Sequence, residues 1–318
     1  MIISITHEHD LDGIASQAII KRFFNLFPQK DTHIFKQFFA HYLDFVDKVK
    51  NVLKLGSTPH KLIITDIGFN KDFLELFPIF EELKKKGCKL FWFDHHIVNK
   101  KIKDRIKNVT NLYVNDPLKC AAEIVKDHYL PNDSVALKLA ELARDSDFKN
   151  NKYPFANELQ LIIGYNRGEN KYQEKIKLVS LLSKGSFQNR WYRTQLEELQ
   201  SWFKEESASA LKRAEIITIE DFGNIAISFS KISGGKVTDL LKNQYPDIKV
   251  YIGIDTRFNE IIISSNYINC RDFATEFGGG GHNARAGFKY NNIFVEKENI
   301  NPQFIKDLKE KFRRFHIN

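Results

Sequence analysis

Ile2-Ile3-Ser4-Ile5-Thr6-His7-Glu8-His9-Asp10-Leu11-Asp12-Gly13 opens the chain, and its reading decides the fold. Ile2 to Ile5 is a short β-rich run. The acidic segment 7–12 follows it, and then a helical pattern with Ala15, Ala18, Ile19 and Phe23 on one face. Two later runs have the same build. Leu62-Ile63-Ile64 ends at Thr65-Asp66, and Leu90-Phe91-Trp92-Phe93 ends at Asp94-His95-His96. Strands alternating with helices predict an α/β fold with a mostly parallel sheet covered on both faces. Continuously apolar strands fit that arrangement better than a half-exposed antiparallel sheet.

Three predicted strands thus end in chemistry-bearing residues: Glu8, Asp10 and Asp12; Asp66; and Asp94, His95 and His96. A fourth acidic pair, Asp145 and Asp147, closes a helical segment that begins at Ser134. In open α/β sheets, ligands bind beyond the carboxyl ends of the strands, so the topology gathers these groups in one crevice. Crowded carboxylates repel, and divalent cations remove that cost. Carboxylates mixed with imidazoles suit Mn²⁺ or a similar first-row ion. Two such ions about 3.5–4 Å apart activate water and polarise a phosphoryl group. On an extended strand Glu8, Asp10 and Asp12 face one way, and His7 and His9 face the other. Gly13 then permits a tight turn into a helix whose N-terminus favours phosphate. In Asp94-His95-His96, one imidazole can bind metal while the aspartate orients a ring.

From about 155 to 215 the pattern is helical and highly charged, with Trp191, Leu196, Leu199, Trp202, Phe203 and Leu211 at its apolar positions. Trp191, Tyr192 and Trp202 recur at helical spacing, which favours packing over base stacking. After 215 the character changes to a smaller α/β or α+β region. Residues 216–219 and 225–227 read as a hairpin. Val250-Tyr251-Ile252-Gly253-Ile254 and Ile261-Ile262-Ile263-Ser264 flank a polar turn. Gly278-Gly279-Gly280-Gly281-His282 then leads into Arg285. Consecutive glycines let backbone N–H groups approach an anion as a nest, with His282 and Arg285 as further phosphate contacts. The expected division is 1–188, a linker helix over 189–215, and 216–318.

Net charge is +8, which suits an anionic partner. The Lys306, Lys309, Lys311, Arg313, Arg314 run reads as the solvated face of a last helix. Cys88, Cys120 and Cys270 form no CxxC pair, which argues against a disulfide framework and a structural zinc site. No apolar run reaches the ~20 residues that span a bilayer. Residues 1–5 read as a strand and not as a signal peptide, and the expectation is a cytoplasmic protein with no membrane partner.

The order Asp-x-Asp-Gly, a lone Asp, Asp-His-His, Asp-x-Asp and a distal Gly-Gly-Gly-His resembles the DHH phosphoesterases. The distal part is similar to the DHH-associated substrate-binding domain. The resemblance implies an N-terminal parallel-sheet catalytic domain joined by a linker helix to a smaller C-terminal α/β domain, with the active site between them. It implies a hydrolase using two Mn²⁺ ions, with Mg²⁺ or Co²⁺ as alternatives. Carried over by position, Asp10, Asp12, Asp66, His95 and Asp145 are metal ligands, and Asp66 bridges the ions. His96 sits beside the substrate phosphate and Asp94 supports the histidines. Gly279, Gly280, Gly281, His282 and Arg285 hold the nucleotide.

Two positions depart from the pattern. Many members have histidine two residues before Asp10, where this chain has Glu8; the RecJ branch of single-strand exonucleases has aspartate there, which keeps Glu8 as a metal ligand. Many also have an arginine near Ser264-Ser265-Asn266, a role open here to Arg257, Arg271 or Arg285. RecJ-type exonucleases usually carry a further nucleic-acid-binding domain. The compact form resembles oligoribonucleases acting on short single-stranded oligonucleotides, dinucleotides and 3′-phosphoadenosine 5′-phosphate. A longer-strand DNA exonuclease and a non-catalytic nucleotide-binding module are the competing expectations. A homodimer is compatible with all of them.

Overall fold

The computed structural model of the chain describes residues 1–28, 34–42, 44–54, 57–69, 71–296 and 299–315. The chain divides into two compact units, Met1–Leu199 and Gln200–Asn318.

The first unit runs β1 (Ile2–His7), α1 (Leu11–Leu26), β2 (Phe35–Ala40), α2 (Phe45–Leu53), β3 (Lys61–Thr65), α3 (Leu76–Lys85), β4 (Lys89–Asp94), α4 (Lys100–Val109) and β5 (Leu112–Asn115). A helical series follows: α5 (Ala121–Tyr129), α6 (Ser134–Asp147), α7 (Pro154–Tyr165), α8 (Tyr172–Ser183) and α9 (Arg190–Lys212), the last crossing into the second unit. The five strands form one parallel sheet in the order β2-β1-β3-β4-β5. All six residues of β1 are buried, as expected of a strand covered on both faces. One face carries Ile3, Ile5, Leu62, Ile64, Leu90 and Trp92, packed against Phe45, Phe77, Phe80 and Ile106 from α2, α3 and α4. On the other face α1 packs against α5, α6 and α8.

Asp10 caps α1 by accepting from the Gly13 N–H at 3.0 Å. Buried polar bonds then seat the helix on β1. The Ser4 hydroxyl donates to Gln17 Oε1 at 2.6 Å, and the Thr6 hydroxyl donates to the Gly13 carbonyl at 2.8 Å. Gly13 therefore has a different task from the tight turn expected of it. It is the third residue of α1, pressed against the end of β1, and a Cβ there would lie 2.2 Å from the His7 carbonyl oxygen.

Strand order reverses between β1 and β3, because the chain first adds β2 on one side of β1 and then β3 on the other. Such a switch point opens a crevice at the carboxyl ends of the two strands. Here that crevice lies beyond His7 and Thr65.

The second unit has a six-stranded mixed sheet, β10-β11-β9-β8-β7-β6. Its elements are β6 (Glu215–Ile219), β7 (Gly223–Ser230), α10 (Gly234–Gln244), β8 (Val250–Asp255), β9 (Glu260–Ser265), α11 (Cys270–Thr275), β10 (Gly280–His282) and β11 (Arg285–Lys289). The small pair β12 (Phe294–Glu296) and β13 (Asn299–Ile300) and a last helix, α12 (Pro302–Phe312), complete it. Among the described residues only β7 and β8 pair in parallel in this sheet, and α10 makes the crossover that a parallel pair needs. Among the described residues no helix is long and apolar enough to cross a membrane, and all three cysteines are free and buried.

Gly13→Ala tests the contact between helix and strand. In an exposed helix the change stabilises by about 1 kcal/mol. Against the His7 carbonyl it is expected to destabilise by about 2 kcal/mol, read as a lower urea midpoint with an unchanged slope.

Candidate metal centre

The crevice at the β1–β3 switch point collects residues from five places in the chain. His7 ends β1. Asp10 caps α1 and Asp12 is its second residue. Asp66 follows β3, Asp94 ends β4 with His95 and His96 after it, and Asp147 ends α6. Asp66 is 2% exposed and adopts the left-handed conformation, φ 56°, which aspartate tolerates better than most residues.

The donor atoms fall into overlapping groups. His7 Nδ1 lies 2.8 Å from Asp10 Oδ2 and 3.7 Å from Asp66 Oδ2. His95 Nε2 lies 3.4 Å from Asp66 Oδ1 and 3.7 Å from Asp12 Oδ2, and its Nδ1 lies 3.7 Å from Asp147 Oδ2. Within each of three sets (His7, Asp10, Asp66; Asp66, His95, His96; Asp12, His95, Asp147) the donor atoms are no more than 4.8 Å apart. Ligands sharing one ion at about 2.1 Å stand roughly 3–3.5 Å from each other, so these spacings are near those of coordination. Asp66 belongs to two of the sets, with one oxygen toward His7 and the other toward His95.

The electrostatics ask for a cation. Burial, reinforced by neighbouring carboxylates, pushes the Asp66 and Asp12 carboxyls well above the ordinary range. Burial alone would lower the His7 imidazole, but Asp10 and Asp66 outweigh it and raise it to about 10. Burial would likewise raise Asp10, yet His7 and the Gly13 N–H hold it below its usual value. A proton on His7 is thus the balancing charge supplied by the chain itself. Asp66 Oδ2 and His7 Nε2 are both buried and make no hydrogen bond. Carboxylates, imidazoles and orphaned donor atoms together fit divalent first-row ions.

His96 sits at the edge of this group, sharing a set with Asp66 and His95, and two further bonds hold its ring. Its Nδ1 is 2.8 Å from Asp94 Oδ1, and its Nε2 is 2.8 Å from the Tyr42 hydroxyl. Asp94 is 1% exposed and also accepts from the His96 backbone N–H at 3.2 Å. Burial would lower the His96 ring, but Asp94 more than offsets it and raises it. Tyr42 carried no motif and was not found by sequence reasoning. Strand pairing places it, since β2 ends beside His7 at Ala40.

Two expected ligands lie elsewhere. Glu8 is turned from the cluster toward the buried Lys175 ammonium and His9 Nε2, the latter 3.3 Å away. Burial alone would raise the Glu8 carboxyl, but those two partners hold it at about 2. Strand β1 stops at His7 and the chain bends through 8–10, so the two-residue alternation fails there. His7, which alternation placed on the far side, takes the position beside Asp10. Asp145 accepts the backbone N–H groups of Lys152 and Tyr153, both at 2.9 Å, and closes the turn after α6. Two helical residues further on, Asp147 points to His95 instead. Asp12 keeps its place near His95 while both its oxygens also accept N–H groups at the start of α5, from Ala121 and Ala122 at 2.7 Å each.

In the second unit the glycine run is not a nest. Gly280–His282 is an exposed edge strand paired antiparallel with β11, so its backbone alternates between ladder and edge. Gly279 and Gly281 are needed for close approach: a Cβ at 279 would lie 2.2 Å from the Gly287 carbonyl oxygen, and one at 281 would lie 2.7 Å from Ala286 Cα. Arg285 is ion-paired with Asp239, and its cross-strand neighbours are His282 and Ser264. Arg271 donates to the Gly281 carbonyl at 2.9 Å. Arg257 is occupied by Asp255 at 2.9 Å.

A parallel sheet with a carboxylate–imidazole cluster at its switch point fits a phosphoesterase-type fold. Residues 1–147 match the DHH family, N-terminal domain. Its fold is similar to that of a DHH domain described as belonging to a family of ribosomal proteins. That likeness has 15% identity and a TM-score of 0.59, and it covers 98% of this chain and 85% of that one. CDC45 from Entamoeba histolytica is similar at 9% identity and a TM-score of 0.53, over 98% and 95% of the two chains. An uncharacterized protein from Helicobacter pylori G27 aligns at 18% identity over 98% and 99%, with a TM-score of 0.44. No curated protein matches the chain.

The two aspartates of α6 separate function from fold. Asp147→Asn is expected to weaken Mn²⁺ binding at least about tenfold by calorimetry while leaving the melting temperature of the metal-free protein nearly unchanged. Asp145→Asn is expected to do the reverse, destabilising the metal-free protein by about 1–2 kcal/mol through its two charge-assisted bonds.

Proposed function

We propose that the chain is a divalent-metal-dependent phosphodiesterase that hydrolyses short oligonucleotides and dinucleotides to mononucleotides, with 3′-phosphoadenosine 5′-phosphate as a further substrate. One observation carries this reading: Asp66 is shared between two ligand sets at the sheet's switch point. His7, Asp10 and Asp66 would hold one Mn²⁺ ion, and Asp12, Asp66, His95 and Asp147 a second. Ions so placed supply water activation and charge stabilisation for phosphoryl transfer.

The residues around them divide the remaining tasks. Asp94 orients His96, whose Nε2 changes partner from Tyr42 to a phosphoryl oxygen when substrate binds. Gln160 donates to the His9 carbonyl and accepts from the Leu11 N–H, which keeps the 8–11 bend in shape. In the second unit His282 and Arg285, with Arg271, bind a nucleotide phosphate along the exposed strand β10. Arg285 stands in for the arginine that the family usually carries near Ser264, because the two positions are cross-strand neighbours. The net charge of +8 favours a polyanion over a neutral ester.

Product analysis on 5′-labelled di-, penta- and 24-nucleotide RNA and DNA, with Mn²⁺ or chelator, tests the reading. Metal-dependent cleavage of the di- and pentamers, slow cleavage of the long strands, and a loss of at least about a thousandfold in His95→Ala are expected. Rapid digestion of the long DNA would move the protein to a RecJ-like exonuclease. Binding without turnover in Mn²⁺ would make it a nucleotide-binding module.

A further inference from the structure

Next to the carboxylate cluster lies a group of imidazoles of which two, His9 and His41, have no part in the proposed reaction. His9 sits in the bend after β1, and His41 directly follows β2. Parallel pairing of the two strands, with His7 opposite Ala40, brings their ends together. The His9 and His41 rings stack with centroids 4.2 Å apart and planes 20° apart. The His7 ring is 5.3 Å from His9 and 6.1 Å from His41. Each of the three offers a ring nitrogen within 4.8 Å of the other two.

His7 supplies a second, independent observation. It is 8% exposed, its Nδ1 faces Asp10 and Asp66, and its buried Nε2 makes no hydrogen bond. A buried ring nitrogen without a partner is uncommon unless a ligand satisfies it. We infer that His7, His9 and His41 form a third cation site, rich in nitrogen, on the β2 side of the carboxylate cluster.

The charges around the group leave room for a cation. Glu8 neutralises the buried Lys175 and also faces His9, and Arg167 acts on His9 from outside the trio. Nitrogen ligands of one zinc-class ion at about 2.0–2.1 Å stand roughly 3.3 Å apart, so side-chain rotations of about 1–1.5 Å complete the site. Imidazole donors favour Zn²⁺, Co²⁺, Ni²⁺ or Cu²⁺, whereas oxygen-rich sites also accept Mn²⁺ and Mg²⁺. The two kinds of site therefore differ in which ion fills them. This assignment rests on the proposed reading in taking the carboxylate cluster as a two-ion centre that shares His7 with the third site; with both filled, His7 binds through both ring nitrogens and releases its N–H proton to solvent.

Metal counting on the full chain tests it, with Mn²⁺ alone and with Co²⁺ alone, for wild type, His9→Gln and His41→Gln. The expected wild-type result is two Mn²⁺ but three Co²⁺ per chain. Each variant should fall to two Co²⁺ while keeping two Mn²⁺, which also reports that it folds. The intense visible bands of a nitrogen-bound Co²⁺ should weaken in both variants. Two Co²⁺ in the wild type, or three retained in both variants, would overturn the third site. A wild-type Mn²⁺ count below two would contradict the two-ion reading instead, and the Co²⁺ difference between wild type and variants would still decide this one.

Discussion

The carboxylate of Asp66 is the constraint around which the site is organised. It is buried at the carboxyl end of a central strand, in a backbone conformation that most residues avoid, with one oxygen toward each of two histidines. A buried carboxylate beside others is expensive unless positive charge is at hand. In the metal-free chain a raised His7 supplies part of that charge, and a divalent ion bound to its ring nitrogen would take the place of that proton. The sheet order places Asp66 there. Because β2 is laid on one side of β1 and β3 on the other, the ends of β1 and β3 face a common crevice.

Around that centre several of the candidate ligands are held by a further bond. Asp10 is a helix cap, and Asp12 is tied to the first N–H groups of α5. His96 is clasped by Asp94 and Tyr42. Helix α1 bears on β1 through Gly13 and buried hydroxyl bonds, which carries the rigidity of the sheet into the ligand positions. Lys175 on α8 and Glu8 form a buried ion pair at the rim. Removing one member of such a pair leaves the other charge uncompensated, so it serves placement more than net stability.

Much of this was legible in the sequence because strand ends carry the chemistry. Apolar runs ending in Asp66 and in Asp94-His95-His96 announced both the parallel sheet and the crevice. The parts that were not legible depend on local geometry. Glu8 turns away from the cluster and His7 toward it because β1 stops at His7 and the chain bends through 8–10, where alternation assumes an extended strand to Asp12. Asp145 turns to the backbone and Asp147 toward His95 because a helix turns about 200° over two residues, which pattern alone does not orient. Strands β2 and β5 escaped notice because edge strands carry mixed polarity, as in Phe35-Lys36-Gln37-Phe38. The glycine run suggests an anion-binding nest, yet its glycines admit close backbone pairing at a sheet edge.

The central claim is that one carboxylate joins two metal positions. Electron paramagnetic resonance of the chain loaded with two equivalents of Mn²⁺ tests it most directly. An exchange-coupled pair is expected in the wild type, with conversion to the six-line signal of isolated ions in Asp66→Asn. A six-line signal in the wild type at full loading, or coupling that survives in Asp66→Asn, would contradict it.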